Sequence, residues 1–311
     1  MSADALVITG PTATGKTALA IEVAERLDGE VISMDSRQVY RGMDIGTAKP
    51  TPEQRARVPH HGLDLVDPDQ TYSAGRFAAD ARRWIAEIRA RGRVPILAGG
   101  TGFFLRALTH PLFTEPPLPE PSRSRLKAYM RRMPEPELRR WLEQLDPAAA
   151  RALERRGGRQ RVERALEVAL LTGRPLSWWH AHAAPSAPPL RPLIFVLHLP
   201  WPDLRRRIDA RVREMVDAGL VEEVRGLLAR GYGPEDPGMS ATGYIEMVPY
   251  IEGRYGLEDA IAAIQRATRR YARRQLTWFR HQLPPGAHWI DASRPLEELA
   301  GELTERWKTD C

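Results

Sequence analysis

Residues 6–27 read LVITGPTATGKTALAIEVAERL, and this stretch decides the fold. Leu6 to Thr9 is a short β-rich apolar run, and from Lys16 to Leu27 the apolar residues recur at helical spacing. Between them Gly10-Pro11-Thr12-Ala13-Thr14-Gly15-Lys16-Thr17 matches G-x-x-x-x-G-K-S/T in the strand–turn–helix setting that gives the pattern physical meaning. Gly10 and Gly15 let backbone N–H groups converge on a phosphate, and the start of the helix adds its positive dipole end. Lys16 is suited to bridge phosphate oxygens and Thr17 to ligate Mg²⁺, so Gly10 to Thr17 form a candidate phosphate cradle. The pattern leaves the phosphate compound open, because kinases, ATPases and diphosphate-using transferases all carry it.

The alternation continues outward. Glu30 to Ser33, Val94 to Ala98, Leu193 to Leu199 and His288 to Asp291 read as strands, and Ala74–Arg91, Leu204–Ala218, Glu222–Arg230 and Leu257–Arg280 as helices. This rhythm predicts an α/β fold with a doubly wound parallel sheet of the P-loop NTPase type. Tyr40 to Pro59, rich in Gly and Pro, reads as an ordered loop with at most short helices. Five prolines between Pro111 and Pro121 and a second proline-rich stretch, Pro185 to Pro192, bracket a segment that is helical throughout. The predicted organisation is a core in two parts, residues 1–113 and 191–311, with an all-helical insertion at 114–190. Residues 121–180 hold 14 Lys+Arg against 7 Asp+Glu, a surplus of seven where the whole chain has +6. The positive charge is concentrated in the insertion.

A chain of 311 residues with 42% apolar content has a real core, and its basic excess suits a polyanionic partner. The single cysteine, Cys311, excludes an intramolecular disulfide framework and a Cys-based zinc site. No leader and no bilayer-length apolar stretch is evident, so a cytoplasmic protein without a membrane partner is expected.

Two further segments fall at carboxyl ends of predicted strands, where ligands of open α/β sheets bind. Asp35, after the second strand, suits a base toward an attacking group, a Mg²⁺ ligand, or a helix cap. Gly99-Gly100-Thr101-Gly102 follows Val94 to Ala98; the Thr101 hydroxyl can meet a phosphate, although glycine after a strand is also ordinary turn chemistry.

Gly10 to Thr17, the run SMDSRQVYRGMDIGTAKP over residues 33–50, and Gly99-Gly100-Thr101 together resemble the bacterial tRNA dimethylallyltransferase (tRNA isopentenyltransferase) family. The likeness extends through RVERALEV at 161–168, RIDAR at 207–211, Gly243-Tyr244 and TRRYARRQLTW at 268–278, essentially the whole chain in order. The resemblance implies transfer of a dimethylallyl group from dimethylallyl diphosphate to N6 of the adenosine 3′ to the anticodon. It also implies that residues 10–17 hold the donor's diphosphate and that Lys16 and Thr17 bind it with Mg²⁺. Asp35 would be the general base, with Thr101, Arg211 and Lys16 catalytic at the leaving diphosphate. The anticodon stem-loop would be met by Asp35, Ser36, Arg37, Gln38, Thr101, Arg123, Gln160, Arg161, Val162, Glu163 and Arg164, on a monomeric enzyme. Gly102-Phe103-Phe104 and Ile245-Glu246 depart from common forms of the family.

An adenine amine is a poor nucleophile, so positioning and leaving-group stabilisation must carry much of the reaction. Phe103 and Phe104 are candidates for the prenyl pocket, with core packing as the alternative. Arg151, Arg155, Arg156, Arg159, Arg161 and Arg164 gather around one helix start, suited to phosphates or unpaired bases. Arg266, Arg269, Arg270, Arg273 and Arg274 form a second stripe, with Leu276 and Trp278 on the core side. Trp178-Trp179-His180 reads as packing, and His60-His61 is too isolated for zinc. Rival readings are a free-adenylate dimethylallyltransferase, an ATP-dependent small-molecule kinase, and a nucleic-acid-binding regulator with a vestigial loop, which the intact Lys16, Thr17 and Asp35 oppose.

Overall fold

The computed structural model describes residues 3–110, 113, 118–154 and 157–310. Pro111, Pro116 and Pro117 of the first proline cluster, Arg155, Arg156 and Cys311 lie outside the described residues. The chain divides into two compact units, Met1–His110 with Pro189–Cys311, and Pro111–Pro188.

In chain order the first unit runs β1 (Leu6–Thr9), α1 (Lys16–Arg26), β2 (Gly29–Ser33), α2 (Pro52–Arg57), β3 (His60–His61), α3 (Ala74–Ala90), β4 (Val94–Gly99) and α4 (Gly102–Thr109). The helical unit holds α5 (Glu120–Arg132), α6 (Glu135–Leu145), α7 (Pro147–Leu153), α8 (Arg159–Thr172) and α9 (Leu176–His182). The first unit resumes with β5 (Leu193–His198), α10 (Trp201–Asp217), α11 (Leu220–Ala229), α12 (Tyr244–Ile251), α13 (Leu257–Gln282), β6 (His288–Asp291) and α14 (Leu296–Asp310).

All strand pairings in the sheet are parallel and the order is β3-β2-β4-β1-β5-β6. β1 is central, pairing Leu6 with Ile96 of β4 on one side and with Leu193 of β5 on the other. Helices cover both faces, which is why β1 and β2 are buried along their whole length; β1 reads as a continuous apolar run, whereas β2 carries the buried Glu30, paired with Arg91 and Arg93. One core cluster joins β1, β5, α1 and α14, through residues such as Ile8, Ile21, Phe195 and Leu303. A second joins the segment Val39–Met43 to α10, α11, α12 and α13, with Tyr244 and Met247 wholly buried. That second core carries the walls of the site described below.

The helical unit has its own core of Met130, Leu138, Leu142, Val162, Ala165 and Leu166. Asp146, fully buried, caps α7 by accepting the Ala149 N–H at 3.0 Å and also takes both the N–H and the hydroxyl of Ser177. One carboxylate thus fixes the starts of two helices. Trp178 and Trp179 meet edge-on at 5.2 Å and the Trp179 indole donates to Thr172 Oγ1, a packing arrangement. Phe104 also packs, stacking on Phe77 at 4.2 Å, while Phe103 is 54% exposed.

Candidate active site

The phosphate loop leaves β1 through Gly10 at φ 140°, where a Cβ would come within 2.4 Å of the Leu197 carbonyl oxygen, so only glycine fits. Thr14 Oγ1 and Lys16 Nζ both donate to the Pro11 carbonyl, at 2.9 and 2.6 Å. The Thr12 hydroxyl accepts Arg211 Nη1 at 3.3 Å, bringing α10 to the loop. Burial, then the neighbouring Arg211, push the Lys16 ammonium down to about 7, with Asp35 opposing. Burial also lowers Arg211, against the charges of Asp35 and Glu214.

Asp35 lies just past the end of β2. Its Oδ1 accepts the Arg37 N–H at 2.8 Å, and Thr101 Oγ1 accepts the Ser36 N–H at 3.0 Å. The Thr101 side chain also neighbours Tyr271, whose phenol is raised first by burial and then by the Asp35 charge. Arg37 Nη1 donates to the Pro237 carbonyl and to Ser240 Oγ. Gln38, expected to face RNA, has a buried amide bonded to Ser33 Oγ at 2.7 Å and to the carbonyls of Thr47 and Ala48. It shapes the wall of the site from within.

A cavity of about 540 Å³ is lined by Thr12, Lys16, Thr17, Asp35, Arg207 and Arg211, with Gly99 and Gly100 rather than Thr101 supplying the turn after β4. A second cavity of about 230 Å³ shares Thr12, Asp35, Arg211 and Tyr271 with it and adds the apolar Ile208, Val212, Met215 and Ile264. Phe103 and Phe104 line neither of these two cavities.

Several residues that line or brace the cavities escape a sequence reading. Lys49 is buried and its Nζ is saturated by Tyr40 O, Asp44 and Asp64 at 2.5, 2.7 and 2.5 Å, so this cation braces the wall rather than awaiting an anion. Glu223 accepts the N–H groups of Asp44, Ile45 and Gly46 and the Tyr244 hydroxyl, pinning the loop that leads into Thr47 and Ala48. Gln275 and Tyr271 come from α13, more than two hundred residues beyond the phosphate loop. Their helical spacing of four was the available signal.

In the helical unit Gln160 and Arg161 are exposed at the start of α8, whereas the Val162 side chain, grouped with them by the resemblance, is wholly buried in the local core. Arg123 and Arg164 both bond the buried Glu167 carboxylate, at 2.5 and 2.6 Å. Burial would raise Glu167, but these arginines outweigh it and hold the carboxyl below its usual range. Arg159 bonds Glu163 and caps α5 at the Met130 and Met133 carbonyls. On α13, Arg266, Arg270, Arg273 and Arg274 are exposed while Arg269 turns to Asp209 at 2.7 Å. No group of three His, Cys, Asp or Glu residues suited to a metal occurs among the described residues, His60-His61 included; His61 Nε2 lies 2.7 Å from Glu30. Nor is any described helix long and apolar enough to cross a membrane.

A family model described as IPP transferase matches residues 38–282. A tRNA dimethylallyltransferase of Carboxydothermus hydrogenoformans is 42% identical, over 100% of this chain and 98% of its own. Among solved structures, the full-length tRNA isopentenylpyrophosphate transferase of Bacillus halodurans is 38% identical with a TM-score of 0.69, covering 99% of this chain and 98% of that one. A eukaryotic dimethylallyltransferase acting on tRNA is 29% identical with a TM-score of 0.79, over 93% of this chain and 73% of its own. With a parallel P-loop sheet, an aspartate and a lysine facing one cavity, and this likeness along its full length, the chain belongs to the IPP transferase family of tRNA dimethylallyltransferases.

Proposed function

We propose that the chain moves the dimethylallyl group of dimethylallyl diphosphate onto N6 of the adenosine 3′-adjacent to the anticodon, releasing diphosphate. The observation that carries this reading is one cavity in which Asp35 faces Lys16 and Arg211 across the phosphate loop. The adenine amine attacks the allylic carbon as the C–O bond breaks, and the bond's electron pair leaves on the diphosphate oxygen. Asp35 accepts the amine proton, and Lys16, Arg211 and Thr101 stabilise the departing charge. Ile208, Val212, Met215 and Ile264 supply an apolar surface for the prenyl chain. The target base reaches the site by leaving its stack.

Thr17, in the first turn of α1 and lining the cavity, fits Mg²⁺ held by one protein hydroxyl, substrate phosphate oxygens and waters, a habit of this ion. The metal would supply charge neutralisation at the diphosphate. Gln160 and Arg161, exposed on α8, suit contacts to the anticodon stem-loop, together with Arg123 and Arg164. On this reading the enzyme works as a monomer on tRNA in the cytoplasm.

The test is incubation with Mg²⁺ and labelled dimethylallyl diphosphate, offering unmodified tRNA, AMP and ATP in parallel. Label on the adenosine beside the anticodon is the expected result. Label on free AMP would instead favour the adenylate transferase reading, and ATP turnover without label transfer the kinase one.

A further inference from the structure

One side of α13 meets the turn after β4 residue by residue. Tyr271, Gln275 and Trp278, spaced i, i+4, i+7, face Thr101, Gly100 and Gly102 in turn. Tyr271 lies beside the Thr101 side chain, and Gln275 Nε2 donates to the Gly100 carbonyl at 2.9 Å. The Trp278 ring lies within 2.3 Å of where a Gly102 Cβ would be. Of the three, Gln275 also reaches the phosphate loop: its Oε1 accepts the Thr12 N–H at 3.0 Å. The side chain is 6% exposed, and a Cβ at Gly100 would come within 2.3 Å of its Nε2. One amide therefore matches a donor on one loop with an acceptor on another. The Thr9 hydroxyl, donating to Gly99 O at 2.8 Å, ties only the strand ends beneath.

We infer that Gln275 is a positioning residue for the transfer reaction, fixing the separation between the phosphate loop and the Thr101 turn so that both act in one frame. Thr12 extends the frame to Arg211 through its hydroxyl. The two loops belong to different strands, β1 and β4, and their tips extend beyond the ladder hydrogen bonds that hold those strands together. Gln275 supplies the missing link at the level where the chemistry happens. A displacement of about 1 Å between such groups costs on the order of 100-fold in rate. The inference rests on the role proposed above for Thr101.

The experiment measures kcat and KM for dimethylallyl diphosphate in Gln275→Met, Thr101→Ala and the double variant, using the full chain and tRNA. Gln275→Met should lower kcat on the order of 100-fold with KM changed less than about threefold. In the Thr101→Ala background the same change should lower kcat less than about threefold, because the group it positions is gone. Losses that multiply in the double variant overturn the inference, as does an unchanged kcat in Gln275→Met. An unchanged kcat in Thr101→Ala alone removes the Thr101 role and this inference with it, and the single variant tells that failure apart. Gln275→Glu gives an independent reading. Its protonated carboxyl has one donor and one acceptor, like the amide, so its kcat relative to the native enzyme should climb as pH falls through the raised pKa of a buried carboxyl. A ratio flat with pH overturns the inference even if the methionine variant does not fold.

Discussion

Binding of diphosphate should draw a proton onto Lys16. In the protein alone its ammonium is pushed down to about 7, by burial first and Arg211 second, so at pH 8 the larger part of the lysine is neutral. A diphosphate beside it favours the charged form and restores the higher pKa. Uptake is then the larger part of a proton per site at pH 8 and shrinks as pH falls through about 7. Affinity on this account falls about tenfold per unit above pH 7 and is level below it. The folded pKa lies below the ordinary 10.5, so between about 7 and 10.5 the native state binds fewer protons than the unfolded chain, and this group's contribution to stability rises with pH across that window. The assay is titration calorimetry of inorganic diphosphate at pH 8 in two buffers of different ionisation enthalpy, comparing the native chain with Lys16→Arg. Arginine keeps the charge but does not titrate, so the ligand's own protons cancel in the difference. A difference below about 0.2 proton would refute the reasoning.

Asp35→Ala should lower kcat by roughly 10²–10⁴-fold while tRNA affinity stays within about threefold, read by single-turnover kinetics and filter binding; equal losses in both would contradict the base assignment. Arg161→Ala should weaken tRNA binding and reduce the slope of log affinity against log salt by about 1, whereas an unchanged slope would remove this side chain from the phosphate contacts. Glu223→Ala leaves the Asp44, Ile45 and Gly46 amides and the Tyr244 hydroxyl without their acceptor, and urea unfolding should register a loss of about 2–4 kcal/mol. A loss under about 0.5 kcal/mol would mean that the loop finds other partners.

The elements legible in the sequence were those with one clear period. The continuous apolar run Leu6–Thr9 and the stripe of Ala74–Ala90 announce their environments directly, and the phosphate loop sits between elements of known type. The helices α4 and α12 were not legible: Phe103 to Leu108 is apolar nearly all round, and Tyr244 to Ile251 carries Pro249 inside it, so neither has a polar face to betray its period. α14 did carry a signal, with Leu296, Leu299, Ala300 and Leu303 at helical spacing. The two-residue strand β3 is too short for any pattern. At the site, residues on the loops themselves could be named, but Glu223 and Gln275 act through backbone groups far away in sequence. Hydrogen bonds to main-chain atoms leave no trace in the identity of the partner. Val162 marks the converse limit, since a motif groups neighbours that helix geometry sends in opposite directions.

Each unit closes on itself. In the first, the Leu190 N–H donates to the Leu108 carbonyl at 2.9 Å, and in the second, Phe113 and Pro185 form an antiparallel bridge. Joining Leu108 to Leu190 through an unfolded segment of about eighty residues carries a loop-closure entropy that grows with the logarithm of length. Once the helical unit has formed and joined its own ends, about eight residues of the loop are left to close, which lowers that entropic cost by about 2 kcal/mol. The contacts within α5 to α9 are local in sequence and form quickly, so the order of assembly that topology favours is insertion first, sheet closure second.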